Sequence, residues 1–290
     1  MAVLIKIPNL LATGGIPILP APPPTPWTPS ELGGKLRGWW NPNSLALSTG
    51  TAVASLPSTG GITNTLAQVS GGDQPTYQLL NGKGALSFDG SGDNMGMSDL
   101  SISNAASALS MWMVYKFASV PADSQNKTLM GVRTNLGSNN RMAILLSSTG
   151  GSNKTLGLSY RYNDASGGVN NFSSTVADLN AHIVVGQIVF NGGGGPKLDL
   201  WQDGTNLLSE VPTFTPANLS TGDSNNAYIG CNPTAAAFSI NGLIGQAGIT
   251  RGSMTDAERQ KLEGYLAWDS SLQNNLPSNH PYKYAAPVLT

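Results

Sequence analysis

The order of hydrophobic and polar positions is that of a β protein, and it is clearest between residues 182 and 208. The first part of this stretch is a nearly continuous run of apolar, β-branched residues, which is typical of a strand buried on both faces. Further on, Leu198 and Leu200 alternate with polar or larger residues, as in a strand with one face in a core. Glycine-rich residues 191–195 and the Asp203-Gly204 pair favour turns. The stretch therefore predicts two or three antiparallel strands.

Similar runs predict strands along most of the chain. The run 111–117 is too apolar to alternate and is expected to be a central core strand. An Asn81-Gly82 pair predicts a hairpin turn. The other predicted strands are 75–80, 85–90, 128–132, 141–146, 155–162, 226–230 and 237–249, the last interrupted by glycines.

One strong helix signal is found, near the C-terminus. Thr255 and Glu258 have the spacing of a capping box. Leu262, Tyr265 and Leu266 follow at helical spacing and predict the face that packs on the β domain. The helix is expected over residues 255–274, because Pro277 prevents its continuation.

Residues 1–35 differ from the rest and are predicted to form an extended, proline-rich N-terminal anchoring arm, with the folded domain over residues 36–290. A short alternation of side chains near the start of the chain indicates a strand. The proline run at 20–29 favours the extended polyproline II conformation. A disordered tail is the alternative, although its many aliphatic residues argue against it; a signal peptide is disfavoured by its interrupting prolines and glycines. The arm residues expected to dock on another subunit are Val3, Leu4, Ile5, Ile7, Ile16, Ile18 and Trp27.

Composition narrows the function classes. Only 11% of the 290 residues are charged, against about 25% in ordinary domains, and Gly, Ser, Thr and Asn take their place. The net charge of -1 gives no reason to expect nucleic acid or an anionic membrane as a partner. A single cysteine excludes an intrachain disulfide, and no apolar run is long enough to predict a transmembrane helix.

Several segments resemble a known family of domains. They are Trp39-Trp40, the stretch 75–77, the stretch 81–90 that ends in Phe-Asp-Gly, and the C-terminal segments 259–268 and 276–283. Together they are similar to LamG-like, concanavalin A-like jelly-roll domains, in the versions found in tailed bacteriophages and bacterial surface proteins. The resemblance covers residues 36–287. It implies an all-β, two-sheet antiparallel jelly-roll sandwich with one C-terminal helix and a concave face that binds sugar or protein in some relatives, but it does not fix the function.

Metal and catalytic groups are sparse. Asp89 and Asp93 flank a glycine-rich turn, where some relatives hold calcium; carboxylates that cap the turn are the simpler interpretation. His182 and His280 are interpreted as structural. No nucleophile elbow, metalloprotease helix or phosphate-binding loop occurs in the sequence, and no glutamate pair has the setting that glycoside hydrolysis needs. We therefore expect no enzyme and no cofactor, with calcium as the one weak candidate.

Aromatic side chains offer a further hypothesis. Tyr160, Tyr162 and Trp201 could stack on the apolar faces of sugar rings, although in a jelly roll such residues more often belong to the core or cover a sheet.

The leading hypothesis is a non-enzymatic structural protein of a tailed-phage virion, made in the host cytoplasm. A capsid decoration or cement protein anchored by its arm is favoured, and a tail-fibre or baseplate appendage is the close alternative. A lectin-like adhesion module is the second class. The expected partners are other virion proteins, further copies of the chain in a homo-oligomer and surface glycans.

Overall fold

A computed structural model describes residues 23–100, 102, 108–120, 126–134, 140–148, 154–161, 168–192, 195–210, 225–231 and 239–289. Within these ranges the chain forms sixteen strands and one α-helix, α1, over Asp256–Asp269. The strands are β1 Leu36–Trp40, β2 Ser55–Gly61, β3 Thr65–Ala67, β4 Thr76–Leu80, β5 Lys83–Asp89, β6 Met95–Met97, β7 Ala108–Phe117, β8 Lys127–Thr134, β9 Asn140–Ser148, β10 Lys154–Arg161, β11 Gly168–Val176, β12 Ala181–Gly192, β13 Gly195–Gln202, β14 Thr205–Glu210, β15 Asn225–Ile229 and β16 Asn241–Arg251.

The strands form two antiparallel sheets that share strand β2. In sheet I the order is β16-β7-β12-β13-β14, with β1 and the β4-β5 hairpin pairing along the other side of β16. In sheet II the order is β11-β10-β9-β8-β15-β6-β3-β2. Strand β2 pairs with β3 through residues 55–57 and with β1 through Ser58, Gly60 and Gly61. The strand thus turns a corner from one sheet to the other, and the expected two-sheet jelly-roll sandwich is confirmed.

The first hydrophobic core lies between the sheets. Sheet I contributes the inward side chains of β7, among them Met111 and Met113, and sheet II contributes Ile144 and Leu158. The contact is close at Gly186 of β12, where an added Cβ would lie 2.9 Å from Leu158 Cδ1. Glycine is needed there because the side chains of the opposite sheet fill its space.

A second hydrophobic core lies on the outer face of sheet I. Trp112 and Val114 alternate with the inward residues of β7 and pack under Leu262 and Leu266 of α1. The 3₁₀ helix Pro29–Lys35 and the segment that follows α1 complete this helical layer. Sheet I is therefore buried on both faces, which explains why its central strands are continuously apolar in sequence.

The helix begins as predicted and ends earlier. Thr255 Oγ1 accepts from the N–H of Glu258, whose carboxylate accepts from the N–H of Thr255, so the capping box is confirmed. The last helical residue is Asp269 rather than 274. Ser271 adopts a φ of 57°, which reverses the chain before a 3₁₀ turn over Gln273–Asn275.

Buried charges connect α1 to the C-terminal segment and to sheet I. Arg259 donates to both carboxylate oxygens of Glu263 at 2.9 and 2.7 Å, and its guanidinium lies 4.5 Å from the ring centroid of Trp201. Glu263 Oε2 also lies 3.2 Å from His280 Nε2. Glu263 has no exposed surface, and a buried carboxylate is tolerated only with such partners.

Residues 23–35, which the sequence assigned to the arm, pack on the domain. Trp27 is 4% exposed and its ring meets Tyr265 edge-on at 6.2 Å. The backbone N–H of Trp27 donates to Pro287 O at 3.0 Å, and the backbone N–H of Leu289 donates to Thr25 O at 2.8 Å. The physical reason is that the large apolar surface of Trp27 gains more from burial in the second core than from solvent exposure. Residues 1–22, with Val3, Leu4, Ile5, Ile7, Ile16 and Ile18, lie outside the described residues.

The double burial of sheet I leads to a stability prediction at Gly248. An added Cβ at this residue of β16 would lie 2.1 Å from Trp112 Cζ2 in the second core. Gly248→Ala should lower the free energy of unfolding by about 1–3 kcal/mol, because overpacking forces the indole or the strand to move. Urea denaturation measures the change.

The matched control is Gly72→Ala, since nothing lies within 4 Å of a Cβ at Gly72. Its unfolding free energy should stay within about 0.5 kcal/mol of the parent. Equal stability of both variants would contradict the close packing of Trp112 on β16.

Candidate functional site

An open groove crosses the outer face of sheet II where the short strands β3, β6 and β15 meet. It encloses about 380 Å³. We call it the amide groove, after the side-chain amides that contribute to its lining. Its lining includes Gln68, Val69, Asn94, Gly96, Met97 and Ser98, together with Asn226 and Tyr228 of β15.

The strand pleat places these residues on the outer face. In β6, Met95 and Met97 both lie in the first core, and Gly96 between them faces the other way. In β15, Ala227 and Ile229 lie in that core, and Tyr228 pairs with Gly96 across the strands. A Cβ at Gly96 would meet only Ala227 O, at an ordinary 3.5 Å. The floor of the groove is therefore open because glycine occupies its centre.

The amides are partly fixed by the protein. Gln68 Oε1 accepts from the N–H of Ser70 at 3.0 Å. Asn94 Nδ2 donates to Gly92 O at 2.8 Å, while Gln68 Nε2 makes only a long 3.5 Å contact with Asn94 O. These bonds orient the amides without using all of their donors and acceptors. None of the described side chains that line the groove carries a charge at neutral pH.

The predicted metal candidates lie in the turn that precedes β6. Asp93 Oδ2 accepts from the N–H of Asp89 at 2.9 Å, and Asp89 Oδ1 accepts from the N–H of Ser91 at 2.7 Å. Both carboxylates thus cap the turn. Burial raises the pKa of Asp93 to about 6, the hydrogen bond from Asp89 N–H opposes that rise, and the charges of Asp89 and Asp73 add to it. Among the described residues no three His, Cys, Asp or Glu side chains are grouped to hold a metal ion, and calcium stays a prediction.

His182 lies in a second polar cluster, at one end of sheet I. Its Nδ1 is 2.5 Å from Asp203 Oδ2 and its Nε2 is 2.9 Å from Asp178 Oδ1. Asp203 Oδ1 also accepts from the N–H of Ile183, and Tyr115 donates to the neighbouring Gln202. Both ring nitrogens of His182 are therefore engaged by carboxylates. The arrangement fixes the β13–β14 turn rather than presenting a free base.

The pKa of His182 reflects these contacts. Burial alone would lower it, but the hydrogen bonds and charges of Asp203 and Asp178 outweigh burial and raise the pKa above its usual value. The pKa of Asp178 is lowered: burial opposes the shift, but hydrogen bonds from Asn180 and His182 outweigh it.

Two of the three predicted glycan-stacking residues, Tyr160 and Trp201, lie inside the protein. Tyr160 has no exposed surface and lies in the first core. Trp201 is 8% exposed and is covered by the guanidinium of Arg259. Neither ring can stack on a sugar in this structure, because each covers a sheet face that needs apolar cover. Tyr162 lies outside the described residues.

The residues of the amide groove are not among those that the sequence singled out. Gln68, Asn94 and Asn226 occur in stretches whose composition predicts ordinary loop or strand ends. The one available signal was Gly96, a glycine between two methionines in a strand-like alternation. Such a glycine indicates an open or closely approached strand position.

A second groove, of about 510 Å³, lies on sheet I. Its lining includes Leu79 and Leu179, which are 51% and 52% exposed, and one cation, Lys116. Its polar lining residues are Gln78, Ser87 and Lys116. In the described parts of the chain no helix is long and apolar enough to cross a bilayer.

Comparisons with known proteins support the fold. No protein-family model matches the chain, and no curated protein matches it in sequence. Among solved structures, the binding domain of botulinum neurotoxin serotype G is similar over 82% of this chain and 52% of that one, with a TM-score of 0.56 and 13% identity. Trypanosoma rangeli sialidase, in complex with 2,3-difluorosialic acid, is similar over 85% of this chain and 36% of that one, with a TM-score of 0.56 and 13% identity.

These likenesses show a jelly-roll, concanavalin-like β sandwich. The chain spans about half of the toxin chain and about a third of the sialidase chain. At such low identity the match is one of fold. The narrower expectation of a LamG-like domain from a tailed phage stays a prediction.

The His182 cluster leads to a pH prediction. Because the folded-state pKa is raised, the stability that His182 contributes is complete below the unfolded pKa of about 6.5 and is lost as the pH rises through the folded value. The difference in unfolding free energy between the parent and His182→Gln should therefore shrink from acidic to alkaline pH. Denaturant unfolding at a series of pH values measures it, and a difference that grows with pH would contradict the assignment.

Proposed function

We propose that the protein is a non-catalytic glycan-binding jelly-roll module whose binding site is the amide groove. The observation that carries the proposal is the lining itself, whose described residues place amides and a hydroxyl beside the exposed apolar side chain of Val69 on the outer face of sheet II. The botulinum toxin domain named above is a binding domain by its own description, which agrees with the proposal.

The chemistry of the lining suits sugar hydroxyls. Each hydroxyl donates and accepts, and the amides of Gln68 and Asn94 do both as well. Val69 is 96% exposed at the groove. Its isopropyl group supplies apolar surface for the C–H face of a sugar ring. The groove volume of about 380 Å³ is at the small end of ligand pockets, which suits one or two sugar units.

The non-catalytic part of the proposal follows from how the carboxylates are used. Glycoside hydrolysis needs two carboxyl groups on either side of the scissile bond, and the described residues of the groove lining contribute none. Glu263 is held by Arg259, and Asp203 is held by His182. Asp199, which is 2% exposed, pairs with Lys197 at 3.0 Å. These groups have structural partners away from the groove.

A steric block tests the site. A large side chain at Gly96 would project into the groove. Apart from the neighbouring residues in the chain, the one described atom within 4 Å of a Cβ at Gly96 is Ala227 O, at 3.5 Å. Gly96→Tyr should abolish binding of the glycans that the parent retains on an array, a loss of about 100-fold or more. Gly96→Ala is the matched control and should keep most of the binding. Unchanged binding by the folded Gly96→Tyr variant would place the site elsewhere.

A second candidate function is attachment to a larger assembly through the N-terminal arm, and a tailed-phage virion is the assembly that the sequence suggests. The observation that favours it is that the arm is attached to the folded domain at its C-terminal end. Residues 25–27 pair with 287–289, and Trp27 is buried. Residues 1–22 therefore continue from an anchored point. At full extension they would span about 70 Å, enough to reach a neighbouring subunit. The two functions are compatible, with the arm as tether and the groove facing outward.

Deletion of residues 1–22 tests this second function. Because residues 23–35 stay packed on the domain, the truncated protein should keep its thermal unfolding midpoint. Its occupancy on purified particles, measured by quantitative mass spectrometry, should fall by about tenfold or more. Full occupancy of the truncated protein would contradict anchoring by the arm.

A further inference from the structure

We propose that the second groove, on sheet I, binds the N-terminal segment of another copy of this chain, with Val3, Ile5 and Ile7 as the side chains that enter it. We call this surface the leucine groove. Its volume is about 510 Å³, and its lining includes Leu79, Leu179, Leu243, Gln78, Ser87 and Lys116. The inference rests on the proposed attachment through the arm and names a surface that receives it.

The leucine groove lies on the outer face of sheet I, where the helical layer ends. Leu243 of β16 pairs with Ser87 of β5 on one side and with Lys116 of β7 on the other. The 3₁₀ turn after α1 contacts the sheet beside this row, where Asn275 Nδ2 donates to Ala181 O at 2.9 Å. Lys116 is exposed, and Ser87 and Leu243 are partly exposed. The row therefore has only partial cover.

Exposed leucines lie at both ends of this row. Leu79 of β4 is 51% exposed, and Leu179, two residues before β12, is 52% exposed. An apolar surface rimmed by polar residues is typical of protein interaction sites. The strand order from Leu79 to Leu179 is β4-β5-β16-β7-β12, which amounts to about 19 Å at the usual interstrand spacing. A five-residue extended segment is about 17 Å long, so the groove suits a short strand.

The N-terminal segment has an apolar face of that length. Strand alternation over residues 3–7 places Val3, Ile5 and Ile7 on one face and Lys6 on the other. The apolar face can enter the groove while Lys6 points away from the lysine of the lining. Burial of these aliphatic side chains against the exposed leucines is the driving force.

The base of the arm favours a neighbouring copy over the same chain. Trp27 is buried, whereas residues 23–26 are exposed. Five prolines occur between residues 20 and 26, and such a run favours a stiff polyproline II segment of about 20 Å. That stiffness carries the N-terminal segment away from its anchored point. A contact between the arm of one copy and the groove of the next is heterologous and produces rings or chains.

The experiment uses two full-chain variants, each with one half of the contact removed. Leu179→Asp places a charge in the groove, and Ile5→Asp places one on the apolar face of the arm. Because an unpaired charge is costly to bury, each variant should associate at least about tenfold more weakly than the parent. Light scattering coupled to size-exclusion chromatography measures the masses. An equimolar mixture of the two variants should form a one-to-one dimer, since one keeps its arm and the other keeps its groove.

The matched controls are Leu179→Met, which keeps an apolar side chain in the groove, and Lys6→Gln, which changes the opposite face of the arm. Both should associate as the parent does. Leu179 is half exposed, so its variants should keep the thermal unfolding midpoint of the parent.

A monomeric parent would overturn the inference, and so would a mixture of the two Asp variants that forms no dimer. Occupancy of Ile5→Asp on purified particles separates the two proposals. If occupancy falls although copies do not associate, the arm binds a different protein, and the groove assignment alone is overturned. If occupancy is also unchanged, attachment through the arm is overturned as well.

Discussion

The structure depends on the burial of sheet I on both of its faces. One face packs on sheet II, and the other lies under α1, the 3₁₀ helix Pro29–Lys35 and the segment after α1. Trp112 shows the constraint most clearly, because its indole fits only where Gly248 has no side chain. A sheet that is packed on both faces forms a rigid frame. The short strands β15, β6 and β3 of sheet II leave an open groove on the outer face of that frame.

The same arrangement determines where charge is found. The helical layer brings Arg259, Glu263 and His280 together in the interior, and the end of sheet I brings His182 between Asp178 and Asp203. Each of these side chains thus has a hydrogen-bond partner away from the amide groove.

Much of the fold could be predicted from the sequence, because its determinants are local. The alternation of Leu198 and Leu200, the Asn81-Gly82 turn with φ of 51° and 81°, and the capping box at Thr255 all specify their own geometry. What could not be predicted depends on distant contacts. Tyr160 and Trp201 are buried by partners far away in sequence. Strands β3 and β6 have three residues each, too few to show a period, so Gly96 was the one sign in the sequence of the groove that they help to form.

The central claim is that a glycan binds in the amide groove. The most direct measurement is NMR chemical-shift mapping of the isotope-labelled full chain during titration with a neutral oligosaccharide. The account predicts shifts concentrated in the backbone and side-chain amides of Gln68, Asn94 and Gly96, with the helical layer around Trp112 unchanged. Shifts centred on another surface, or none at saturating sugar, would contradict it.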